Sequence, residues 1–145
     1  MAREYLSWLC KYFKEITQTP ILENFLELQI DELAEGECSF STKTTEKHSN
    51  FYGTVHGGTL ASISDIAMGT ACLTLGKRVV TIDMNISYIK SAPKGSKLTA
   101  VGEVISSGKT IMRAAGEIFD EQGQLLVKSQ ASYFVTGDFG ENDNP

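Results

Sequence analysis

The sequence predicts an α+β domain in which an antiparallel sheet packs against one long apolar helix. Three observations support this fold class. Residues 57–75 contain no proline and a single charge, as is typical of a buried helix. Two short strand-like stretches precede this segment, and four stretches with strand patterns follow it. We therefore expect the helix to lie against one face of the sheet.

The N-terminal segment, residues 1–20, predicts an amphipathic helix. Its apolar residues recur at helical spacing over residues 3–16, with charged residues between them. The dipeptide Thr19-Pro20 ends it, because a residue before proline avoids the helical conformation. We expect this helix to cap the sheet; a lid or a contact with a partner is the alternative.

Two strands are predicted before the central helix, over residues 25–31 and 37–44. The turn at Glu35-Gly36 joins them into a hairpin. A polar stretch then brings Asn50 to the start of the helix, which ends near Leu75-Gly76.

The strand after the helix alternates between apolar and polar side chains over residues 80–88. Its predicted apolar face consists of Val80, Ile82, Met84, Ile86 and Tyr88. Three further strands are expected over residues 98–105, 110–120 and 124–135, with turns between them that are typical of a meander. The acidic tail, residues 136–145, is expected to be frayed.

Composition narrows the possible functions. A chain of 145 residues predicts a single domain over residues 1–145. The net charge of −5 argues against a nucleic-acid partner, and three scattered cysteines with only two histidines provide no metal site. The N-terminus lacks the apolar core of a secretory signal, and composition gives no indication of a membrane segment. We expect a cytoplasmic protein.

The segment from Asn50 to Asp65 carries the candidate chemistry. The backbone N–H of Gly57 at the helix start has no helical partner and can stabilise an oxygen that gains negative charge. Asp65 lies two turns further on, with no lysine or arginine within one helical turn, and is a candidate base or nucleophile. The amide of Asn50 can orient a water molecule or a carbonyl. His56 either positions a substrate or caps the helix.

Asn50, the run His56-Gly57-Gly58 and Asp65 resemble the motif of hotdog-fold acyl-CoA thioesterases, specifically the phenylacetate-pathway (PaaI)-like branch. The run from Thr81 to Tyr88 resembles the same branch, and the likeness extends over residues 22–135. The resemblance implies a hotdog fold and hydrolysis of acyl-CoA, but it leaves the acyl group open. Because the chain has two histidines and no ligand cluster, we expect the reaction to need no metal or redox cofactor. An acyl-CoA-binding module without catalysis and a hydratase or dehydratase are the alternatives.

The resemblance also implies a site assembled at a dimer interface, with a homodimer as the minimal unit of a homotetramer. Helix geometry agrees, because Gly57 and Asp65 are separated by a rise of roughly 12 Å and cannot touch one carbonyl. Family members often carry Ser or Thr on the next strand, and the matching residue is Thr81. The alternation places Thr81 opposite Val80 and Ile82, and so away from the core; Asp83, expected on the face of Thr81, is a rival acid.

Overall fold

The computed structural model describes residues 2–143. The helices are α1 (Ala2–Ile16), α2 (Leu22–Phe25) and α3 (Gly57–Leu73), with a short 3-10 helix at Glu46–His48. The strands are β1 (Gln29–Ala34), β2 (Glu37–Lys43), β3 (Lys77–Tyr88), β4 (Lys97–Ser107), β5 (Ile111–Phe119) and β6 (Leu125–Asp138). Among residues 2–143, no helix is long and apolar enough to cross a lipid bilayer.

The six strands form one antiparallel sheet in the order β1-β2-β4-β5-β6-β3. The predicted hairpin of β1 and β2 and the meander of β4, β5 and β6 are both present. The strand β3 does not pair with β4, which follows it in the chain, but lies at the far edge beside β6. The turn at residues 92–95 therefore begins a crossover, and β3 carries one unpaired edge within the described chain.

A row of small residues lets α3 lie very close to the sheet. Cys38, Gly102, Gly116 and Ser129 are register partners on four adjacent strands. A Cβ atom at Gly102 would lie 2.2 Å from the backbone oxygen of Ala67 in α3. The Cys38 thiol, whose pKa is raised to about 12 mainly by burial, donates to the same oxygen at 3.0 Å. The helix backbone thus rests directly on the backbone of β4.

The predicted strand over residues 25–31 begins later than expected. Residues 22–25 form the helical turn α2, and Glu27 adopts a positive φ of 54°. The carbonyl of Leu26 accepts a hydrogen bond from the Thr42 hydroxyl at 2.6 Å, while the Leu26 side chain is buried. This tertiary contact fixes the turn, and β1 starts only at Gln29.

The prediction of a frayed tail from Thr136 is wrong for the described residues. Strand β6 continues to Asp138, and the ring of Phe139 packs against Trp8 and Tyr12 of α1 with centroids 5.8 and 5.3 Å apart. These aromatic contacts hold the segment in place. The prediction considered only its polar composition and missed the contacts of Phe139. Asn144 and Pro145 lie outside the described residues.

The contact between Gly102 and α3 generates a stability prediction. We expect Gly102→Ala to lower the free energy of unfolding by about 1–3 kcal/mol or more, because its methyl group meets helix backbone that cannot move aside. Gly137→Ala is the matched control in the same sheet, since its Cβ meets nothing within 4 Å. Urea denaturation measures both. Equal stability of the two variants would show that the helix is not held at Gly102.

Candidate active site

The first turn of α3 is held by the loop before it. The N–H of His56 and the hydroxyl of Thr59 both donate to the carbonyl of His48, at 3.0 and 2.9 Å. The ring Nδ1 of His56 accepts from the N–H of Gly58 at 2.8 Å, as an N-cap side chain does. His56 thus has the capping role, one of the two roles that the sequence left open.

His48 is buried and anchors the loop before α3. Its Nδ1 accepts from the N–H of Thr45 at 3.0 Å, so its Nε2 carries the hydrogen that is donated to the carbonyl of Phe25 at 2.6 Å. The ring is 1% exposed. His48 therefore ties the start of α3 to α2.

Gly57 provides an unoccupied backbone donor at the helix start. Within residues 2–143, no acceptor contacts its N–H. Its carbonyl accepts from the hydroxyl of Tyr88 at 2.9 Å, and a Cβ at this position would lie 3.6 Å from the Tyr88 ring. Tyr88 thus fixes the carbonyl side of Gly57, the residue whose own N–H remains available for a ligand oxygen.

Asn50 organises the loop that precedes the helix. Its Oδ1 accepts from the N–H groups of Tyr52 and Thr54 at 3.0 and 3.1 Å, and its Nδ2 donates to the Thr54 hydroxyl at 2.8 Å. The turn is completed by Gly53 at a φ of 85°, which favours glycine. One N–H of the Asn50 amide is left for a ligand, while its oxygen serves the loop.

Asp65 is held by two hydroxyl groups from the sheet. Its Oδ1 accepts from Thr81 Oγ1 at 2.8 Å and from the Tyr133 hydroxyl at 2.9 Å. The Tyr133 hydroxyl also lies 3.0 Å from the Asp65 carbonyl. Among the described residues, no donor contacts Oδ2. One carboxylate oxygen is therefore fixed, and the other is available for chemistry.

Tyr133 is the site residue that sequence reasoning missed. Its side chain is 2% exposed, and burial together with the nearby Asp65 carboxylate raises its pKa well above the usual range. The phenol therefore stays protonated and remains a donor. The available signal was its place on the apolar face of β6, because a buried tyrosine hydroxyl needs a polar partner.

The expected orientation of Thr81 away from the core is wrong. The register of β3 against β6 shifts between Thr81, which pairs with Tyr133, and Asp83, which pairs with Ser132. Ile82 occupies this bulge, and the extra residue reverses the alternation that a regular strand would keep. Thr81 lies on the side of α3, and Val80 and Ile82 are 53% and 52% exposed.

The bulge also corrects the placement of Asp83 and of the predicted apolar face. Asp83 shares a face with Ser132 and thus lies on the side of β3 opposite Thr81. Beyond the bulge, Met84 and Ile86 return to the side of α3 and pack against the core. The five apolar residues predicted on one face are therefore divided between two.

The structure gathers the predicted residues into two groups. Asp65 and Thr81 meet near the middle of α3, joined by Tyr133. Gly57 and His56 lie at the start of the same helix, and Asn50 lies in the loop before it. The rise between Gly57 and Asp65 is roughly 12 Å, so one chain does not bring the two groups together.

A groove of about 350 Å³ opens beside Asp65. It follows α3 from Asp65 to Leu73, passes Thr81 and Tyr133 of the sheet, and reaches the last turns of α1. Most of the side chains that line it are apolar. The acid therefore lies in the wall of an apolar groove.

The chain matches known proteins in sequence and in fold. The family model "Thioesterase superfamily" matches residues 52–127. Human acyl-coenzyme A thioesterase 13 is 31% identical over 126 residues, which cover 84% of this chain and 90% of that protein. A hypothetical thioesterase of Streptococcus pneumoniae, crystallised with coenzyme A, shares 29% identity and a TM-score of 0.76, over 78% of this chain and 91% of that one.

The PaaI protein of Escherichia coli superposes with a TM-score of 0.83, over 92% of this chain and 98% of that chain; at 23% identity this likeness bears on the fold alone. It has the same arrangement of a sheet around a central helix. The predicted hotdog fold and the resemblance to hotdog-fold acyl-CoA thioesterases are both confirmed. The chain belongs to the thioesterase superfamily and has its hotdog fold.

Proposed function

We propose that this enzyme hydrolyses acyl-CoA thioesters to the free acid and CoA. The observation that carries the proposal is the Asp65 carboxylate, anchored through Oδ1 by Thr81 and Tyr133 with Oδ2 left available. Relatives named as acyl-CoA thioesterases and a related structure with coenzyme A support the substrate class.

Asp65 has two possible roles in the reaction. As a general base, its Oδ2 removes a proton from water while the water oxygen bonds to the thioester carbon. The C–S bond then breaks, and the departing thiolate takes up the proton. As a nucleophile, Oδ2 bonds to the carbonyl carbon and expels the thiolate, leaving a mixed anhydride that water cleaves to the acid and the regenerated carboxylate. Both routes release one CoA thiol and use no metal or other cofactor.

The Gly57 N–H is the proposed donor to the oxygen that becomes negative in either route. Such a donor contributes several kcal/mol when it is fixed before the reaction. Because Gly57 and Asp65 of one chain lie too far apart, we propose that the active site combines Asp65 with Gly57 of the partner subunit. A twofold dimer then has two identical sites.

The free edge of β3 supports a dimer. Within the described residues, β3 pairs only with β6, and the apolar side chains of Val80 and Ile82 are more than half exposed. Unpaired apolar edge strands are normally covered, and a second copy of β3 would supply the missing hydrogen bonds. The association of dimers into a homotetramer and the cytoplasmic location remain predictions from the sequence.

We expect Asp65→Asn to lower kcat by at least about a hundredfold, because the amide can neither accept the proton nor attack the carbonyl. Release of CoA thiol from a panel of acyl-CoAs measures it, and the melting temperature checks the fold. Asp83→Asn is the matched control on the opposite face of β3 and should keep near-normal turnover. Near-normal turnover of the Asp65 variant would show that Asp65 takes no part in the reaction.

Thr81→Val should lower kcat roughly tenfold, because it deletes a hydroxyl donor to a carboxylate while keeping the shape of the side chain. Thr81→Ser retains the donor and should restore most of the activity. KM and kcat are measured separately for both variants. If valine and serine behave alike, the hydroxyl does not position Asp65.

Two inactive variants should complement each other if the site spans two chains. Gly57→Pro removes the proposed donor, and the first helical position tolerates proline well. His56, which would precede it, already has the φ of −63° and ψ of 138° that this requires. Gly57→Ala is the control, because it keeps the N–H and its Cβ makes only ordinary contacts.

When Gly57→Pro and Asp65→Asn are unfolded and refolded together, mixed dimers have one intact site and one doubly altered site. With random pairing, about half of the dimers are mixed, and roughly a quarter of wild-type activity should return. A refolded mixture as inactive as its components would place the whole site within one chain.

A further inference from the structure

The apolar groove beside Asp65 extends along α3 and is bordered by α1. Its α3 wall is formed by Asp65, Ile66, Gly69, Thr70 and Leu73. These residues form a stripe that runs roughly 12 Å along the helix toward its C-terminus. The helix α1 contacts the far end of this stripe, where the Tyr5 hydroxyl meets the Leu73 carbonyl, and its residues Tyr12, Phe13 and Ile16, here called the end wall, border the groove.

The end wall is fixed firmly to the rest of the molecule. The Tyr5 hydroxyl donates to the carbonyl of Leu73 at 2.6 Å, and mainly burial raises the pKa of Tyr5 to about 12, so the donor keeps its proton. Trp8 and Tyr12 pack their rings on Phe139, and the Leu9 side chain is buried completely. The end wall therefore belongs to a packed helix rather than to a loose segment.

The chemistry of the lining selects the part of the substrate that can enter. Pantetheine carries amide groups that need hydrogen-bond partners, whereas an acyl chain needs only apolar surface. Besides Asp65, the charged residues of the lining are Glu23 and Arg78, and the Arg78 guanidinium already pairs with Asp143 and lies 5.7 Å from the Phe139 ring centroid. The reacting carbonyl must lie at Asp65, so the groove continues from the position where the acyl chain begins.

Building on the function proposed above, we propose that the groove receives the acyl chain and that α1, through Ile16 and its neighbours, limits the chain length that fits. A volume of about 350 Å³ is at the lower end for small-molecule pockets, which suits a medium-length chain. The N-terminal helix is then a specificity element that acts from the far end of the site.

The first test changes the volume at the end wall in opposite directions. Ile16→Phe shortens the groove and should lower the ratio of kcat/KM for dodecanoyl-CoA to that for butanoyl-CoA about tenfold or more, whereas Ile16→Ala should raise it. Opposite responses cannot arise from a general loss of stability. Lys11→Phe places the same ring on the exposed face of α1 and should leave the ratio unchanged.

The second test measures binding and works without turnover. Trp8 is the single tryptophan of the chain and contacts the aromatic residues at the groove end. In the Asp65→Asn variant, dodecanoyl-CoA should change the Trp8 emission in a saturable way, and acetyl-CoA should leave it unchanged.

The outcomes separate this inference from the proposed function. If the wild type releases no CoA but Trp8 responds to chain length, hydrolysis is wrong and the groove assignment stands. If the wild type hydrolyses acyl-CoAs while the Ile16 variants keep the wild-type ratio, or Trp8 responds equally to both ligands, the groove does not receive the acyl chain.

Discussion

The direct contact between α3 and the sheet is the constraint on which the rest of this structure depends. It requires Gly102 and Gly116 to be neighbours on β4 and β5, because side chains there would meet the backbone of Ala67 and the side chain of Met68. The position of the Asp65 carboxylate also depends on this contact. Asp65 lies half a turn before Ala67, and a helix raised by the width of a methyl group would carry its carboxylate beyond hydrogen-bond reach of Tyr133.

Sequence patterns predicted the elements well because each element has its own hydrophobic period. The buried helix, the hairpin and the meander were all found from residues close together in the chain. The position of β3 beside β6 was not predicted, because no local sequence pattern indicates which strand pairs with β3. The orientation of Thr81 failed for a related reason: a bulge at Ile82 reverses the alternation, and the bulge is defined only by pairing with β6.

The site was likewise predictable where it depends on residues close together in the chain, and not where it depends on contacts made only in the folded protein. The motif from Asn50 to Asp65 supplied candidate groups, but it could not show which of their atoms were already used. The structure shows that the side-chain oxygen of Asn50 accepts hydrogen bonds within the loop and that Nδ1 of His56 accepts one from Gly58. Tyr133 is separated from Asp65 by 68 positions, and only the folded sheet brings the two side chains together.

The proposed dimer can be located more closely from symmetry. If Gly57 of each chain faces Asp65 of the other, the two copies of α3 must run antiparallel, and the twofold axis must pass level with the residue midway between them. That residue is Ala61, whose small side chain allows two helices to approach. In this arrangement the parts of the site follow one another along the helix. The oxyanion donor at the N-terminus of α3 belongs to the active site that contains the partner's acid. Asp65 lies beyond the twofold axis, and the groove runs from Asp65 to α1. The CoA moiety and the acyl chain then leave the reacting carbonyl in different directions, so that α1 can vary the acyl group accepted without disturbing the donor and the acid.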